Sequence, residues 1–90
     1  MKPPESIKVT ADHIAKGEPY ESDRCPVALA ICEQWRPGAQ ASVWVHAIAS
    51  VPSGESWTAK LPDAALWWVE SFDFGRPVEP FEFELNWRRS

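Results

Sequence analysis

Long apolar runs are missing from this sequence. Nowhere does it offer the roughly 18 or more consecutive apolar residues that a membrane-spanning helix needs, so no span is expected. Basic runs are missing too, apart from the terminal pair Arg88-Arg89. Nucleic-acid surfaces concentrate Lys and Arg because much of their affinity comes from released counterions. With 13 acidic residues against 9 basic and a net charge of −4, direct nucleic-acid binding is not expected. The acidic excess serves solubility first; its sharper use would be an acidic face competing with nucleic acid for a basic partner.

Glycine is scarce, with four residues, and none stands in a phosphate-cradling loop. No serine lies in a nucleophile-elbow motif. Zinc needs three or four converging ligands. The candidates His13, Cys25, Cys32 and His46 show no CxxC or HxxxH pairing, so no metal site and no cofactor are expected. The opening Met-Lys-Pro-Pro-Glu-Ser leads into no apolar region and reads as no secretory signal. Cys25 and Cys32 fall on one expected helix, about 10 Å apart, too far for a disulfide. Both read as small buried apolar residues in a reducing cytoplasm.

What the chain does have is aromatic bulk: six Trp, four Phe and one Tyr in 90 residues. Rings that bury about 150–250 Å² each let a short chain build a real core. One domain over residues 1–90 is expected, with 1–5 and 88–90 as flexible ends.

Ser6 to Thr10 alternates as a strand with Ile7 and Val9 on one face. Thr10 then caps a short helical turn from Ala11 to Lys16, which Gly17 stops. The polar stretch from Gly17 to Asp23 is a loop. A largely apolar helix follows from Arg24 to Trp35, with Asp23 as cap and Pro26 in its first turn. Ala41 to Val51 is expected as one long strand. Val43, Val45, Ala47 and Ala49 lie on its core face, with Trp44, His46 and Ile48 on the other.

The turn cluster from Pro52 to Glu55 returns the chain as Ser56 to Lys60. Asp63 to Asp73 reads as a helix with Ala65, Trp68, Val69 and Phe72 buried and Trp67 opposite. The final strand puts Phe81, Phe83, Leu85 and Trp87 inward and Glu82 and Glu84 outward. The expected architecture is α+β: a four-stranded, mainly antiparallel sheet with two main helices and one short helical turn on one face.

Three features invite chemistry. Cys25 begins a helix, where the dipole can lower a thiol pKa; its apolar successors instead suit tight packing. Glu82 and Glu84 stand side by side, but paired carboxylates need a cleft to do acid–base work. A solvated strand face that discourages aggregation explains them better. The third feature is bulky apolar side chains on outward positions. Exposed tryptophan is enriched at interface hot spots, so Trp44, His46, Ile48, Glu82, Glu84 and Trp67 are the expected partner-binding residues.

Ile7-Lys8-Val9-Thr10, the block Cys25-Pro26-Val27-Ala28-Leu29-Ala30, and Gly75-Arg76-Pro77-Val78-Glu79-Pro80-Phe81-Glu82-Phe83 together resemble small uncharacterised proteins of bacteriophages, prophages and related bacteria. The resemblance touches both ends of the chain and carries no activity. It implies a context, accessory proteins that bind a host or phage protein, host defence complexes included. The expected function is therefore non-enzymatic protein binding in the host cytoplasm, as an inhibitor or modulator. A homodimer or larger structural assembly is the first alternative, and a small thiol-reactive enzyme using Cys25 the second.

Overall fold

The computed structural model describes residues 2–89; Met1 and Ser90, at the ends expected to be flexible, lie outside the described residues. Among the described residues the fold is α+β, as the patterning predicts, with a four-stranded antiparallel sheet, a second sheet of two strands, and three helices.

Strand β1 (Ser6–Val9) buries Ile7 and Val9 and exposes Ser6 and Lys8. Thr10 caps α1 (Ala11–Lys16) through a capping box completed by His13. The Thr10 N–H donates to His13 Nδ1 at 2.9 Å, so the ring hydrogen belongs on Nε2, which donates to Glu33 Oε1 at 2.8 Å. His13 is thus a buried structural residue.

Helix α2 (Pro26–Trp35) starts two residues later than expected, and Cys25 rather than Asp23 is its cap. The cause is local: a residue before proline is driven out of helical geometry, and Cys25 is extended at φ −71°, ψ 159°. Its Sγ accepts the Ala28 N–H at 3.4 Å.

The long strand expected over Ala41–Val51 is instead a hairpin of β2 (Gln40–Val43) and β3 (His46–Ser50). Val43 pairs with Ala47, and the Trp44 N–H donates to the His46 carbonyl at 3.0 Å. Cross-strand partners share a face, so the two-residue alternation runs through the bend unbroken. Only Val45 departs from it, 55% exposed at the tip. Strand β4 (Ser56–Lys60) follows the expected turn and pairs with β3.

Helix α3 (Asp63–Asp73) ends in a Schellman closure: the Gly75 N–H donates to the Phe72 carbonyl and the Arg76 N–H to the Ser71 carbonyl. Gly75 takes φ +77°, which glycine adopts without the Cβ penalty.

The last expected strand is divided. Strand β5 (Phe81–Glu84) pairs with β1, and β6 (Arg88–Arg89) pairs with β4 to complete the order β2-β3-β4-β6. Residues 2–5 and 88–89, expected as loose ends, make specific contacts. Pro3 is fully buried, the Pro4 carbonyl accepts the Trp87 indole N–H at 2.9 Å, and the Glu5 carbonyl accepts the Leu85 N–H at 2.8 Å.

Helix α2 touches β1, β2 and β3 and so seals both sheets over one core. Ile7, Val27, Ile31, Leu61 and Leu85 are almost wholly shielded there. A ring stack of Trp68 on Phe81 (4.5 Å) and Phe81 on Phe83 (5.0 Å) ties α3 to β5. The outer margin of β1 is bracketed by one side chain: Gln34 accepts the Lys8 N–H (2.8 Å) and donates to the Ser6 carbonyl (3.2 Å).

Candidate functional site

The β2–β3 bend throws two bulky side chains into solvent, with Trp44 73% and Val45 55% exposed. Two further exposed rings stand beside them, Tyr20 at 68% and Phe74 at 61%, packed edge to face with centroids 6.1 Å apart. Each is held by its backbone. Phe74 caps α3 just before the Gly75 turn. Tyr20 adopts φ +63°, the one non-glycine residue in that region among those described. Its N–H donates to Asp73 Oδ1 at 3.0 Å, which pins the loop to the end of α3.

A left-handed residue with a Cβ costs of order 1–3 kcal/mol and persists only where its surroundings over-determine it. Here the hydrogen bond to Asp73 helps hold the strained residue, and its ring stands outward.

Between the bend and α3 runs a groove of about 330 Å³, with Val45 and Trp44 on one side and Leu66, Val69 and Glu70 on the other. Tyr20 and Phe74 also line it. A smaller cavity of about 160 Å³ continues beneath Tyr20 toward Cys25 and includes Glu21. On the other side of the bend, Trp44, Val45, His46 and Ile48 line a second shallow cleft, and Ile48 is 48% exposed. The apolar surface therefore passes from Ile48 over the bend to Phe74. Contiguous exposed apolar patches on a small protein mark interaction sites, whereas single exposed side chains do not.

No family model, curated protein or solved structure matches the chain.

The expected site residues are partly reunited and partly dispersed. Trp44, His46 and Ile48 do share a surface, though Trp44 sits at a bend rather than midway along a strand. Glu82 does not join them. It lies in the two-stranded sheet opposite Lys8, where its carboxylate accepts the Ser6 hydroxyl at 2.8 Å. Glu84 lines, with His46, Lys60 and Arg88, another groove that Trp44 and Ile48 do not line. Both belong to the small sheet because β5 pairs with β1 rather than with the hairpin. Trp67 is 67% exposed on α3 but does not line the Trp44 groove.

Sequence reasoning missed Tyr20, Val45 and Phe74. Tyr20 stands in a polar loop with no periodicity. Val45 fits the buried phase of the alternation, so only the turn geometry reveals it.

Cys25 is 2% exposed, and burial pushes its thiol up to about 11. A thiol held neutral at physiological pH is a poor nucleophile. Burial also raises Cys32. Both are free thiols. Among the described residues no three His, Cys, Asp or Glu side chains converge as metal ligands, and no helix is long and apolar enough to cross a membrane.

Proposed function

We propose that this chain is a non-enzymatic binding protein that engages another protein through the surface around Trp44, Tyr20 and Phe74. One observation carries the reading. Four large apolar side chains, each more than half exposed, are clustered around one groove, and one of them is held there against a backbone penalty. Aromatic anchors of this kind dominate interface energetics, because each buries a large rigid area on binding. The neutral, buried Cys25 favours this reading over thiol chemistry.

The likeness of the Cys25–Ala30 block and the Phe81–Phe83 ending to small phage proteins supports a setting in which the chain acts stoichiometrically. Its target would be a host or phage protein complex, such as a defence complex.

Affinity capture from cells producing the tagged chain, followed by mass spectrometry, tests it. Wild type should retain a partner that Trp44→Ala and Phe74→Ala both lose. Equal recovery by all three would remove this surface from the proposal. Pairing with a second copy is the competing reading, since the same aromatic surface would bury itself in a dimer. Light scattering separates the two, because a strict monomer at high concentration excludes self-association.

A further inference from the structure

Resting on the reading of this face as a binding surface, we infer that its occupant is a cationic amphipathic helix of a partner protein. The form of the groove suits a helix. Its α3 wall presents Leu66, Val69 and Asp73, positions i, i+3 and i+7, a span of about 10 Å. Two turns of a docked helix cover the same length with apolar residues at i, i+3, i+4 and i+7. A segment that adds as a strand would need a free strand margin. The neighbouring margin of β2 is occupied, because the Val43 N–H donates to the Ser22 carbonyl at 2.9 Å. Side-chain anchors, rather than a backbone ladder, are what the site provides.

Charge selects the sign of the partner. Glu21, Glu70 and Asp73 line the groove and its lower cavity, and neither is lined by a Lys or Arg. Of the nearby bases, Arg76 lies over the Phe74 ring at 5.6 Å and Arg24 is paired with Glu18. Among the described residues neither Glu21 nor Glu70 is in an ion pair. Three carboxylates around an apolar groove suit a helix whose apolar stripe is flanked by Lys and Arg. A second copy of the chain would set these carboxylates against their own equivalents across a two-fold axis, and anionic lipid or nucleic acid would meet the same repulsion.

The test uses the full chain and two synthetic helical peptides of about 18 residues, roughly five turns. Both carry one Leu/Trp stripe; the polar face is all Lys in one and all Glu in the other. Titration followed by amide NMR should show the Lys peptide binding at least about tenfold tighter at low salt, with the difference shrinking as salt screens it. Its shifts should centre on Tyr20, Trp44 and Phe74. Trp44→Ser should abolish them, and Glu21→Lys with Glu70→Lys should reverse the peptide preference.

Equal binding of both peptides at this face would overturn the cationic partner and leave the apolar docking surface standing. Binding that maps to Glu82 and Glu84, or survives Trp44→Ser, would overturn the groove as the site. If neither peptide binds, the helical occupant is refuted, and the capture experiment decides the binding reading independently.

Discussion

Trp44 and Trp68 offer a direct test of whether the exposed aromatics serve the fold or something outside it. Trp44 is 73% exposed, so folding hides only about a quarter of its surface. If the whole side chain presents roughly 250 Å², that quarter is about 60 Å², or ~1.5 kcal/mol at ~25 cal/mol per Å². The unfolded chain already hides part of this area, which brings Trp44→Ser to about 1 kcal/mol.

Trp68 is 8% exposed, stacks on Phe81 and donates its indole N–H to the Glu79 carbonyl. Trp68→Ala should therefore cost about 3–5 kcal/mol. Urea unfolding followed by far-ultraviolet circular dichroism gives both numbers free of changes in tryptophan emission. Equal slopes would confirm that the same cooperative unit is measured. If Trp44→Ser lost as much as Trp68→Ala, the ring at the bend would be a structural element, and its reading as a binding anchor would fail.

Other outcomes follow from the same structure. Tyr20→Gly should be about 0.5–1 kcal/mol more stable than Tyr20→Ala, since both lose the ring and only glycine relieves φ +63°; equal urea midpoints would refute the strain. Gly17→Ala should cost about 1–3 kcal/mol, because its Cβ would stand 2.6 Å from Pro26 Cδ and Cγ; an unchanged melting temperature would show that the contact relaxes freely.

The Cys25 thiol is neutral in both states below its ordinary 9.0, so its contribution is complete there. Above that, the unfolded thiol ionises while the folded one stays protonated to about 11, and stability falls across this window by about 2–3 kcal/mol. Cys25→Ser should lack that extra loss, and parallel pH profiles of the two proteins would contradict it. Native labelling of Cys25 near pH 8 should accordingly be slow.

The elements were legible wherever a local chemical signal marks them. Thr10 before α1, Pro26 in the first turn of α2, the Pro52–Glu55 turn and Gly75 after α3 all lie where the sequence predicts. The pairing was not legible. The bend at Trp44 and Val45 carries no glycine, proline, asparagine or aspartate, and its register preserves the alternation, so pattern alone sees one strand. The division of the last strand likewise depends on β1 and β4 drawing Phe81–Glu84 and Arg88–Arg89 into different sheets, a non-local choice.

The site shares this limit. An outward Trp44 could be read from period two, whereas its approach to Tyr20 and Phe74 needs the hairpin, the loop and the end of α3 to meet.

The Gln34 amide has a consequence for how this protein behaves in a crowd. A primary amide repeats the donor and acceptor of a peptide group, so the side chain stands in β1's flank as a one-residue imitation of a neighbouring strand. Across the small sheet, Glu82 stands opposite Lys8 and Glu84 opposite Ser6, so polar and charged side chains line one face of both strands. Together they make the two-stranded sheet a poor template for an added strand.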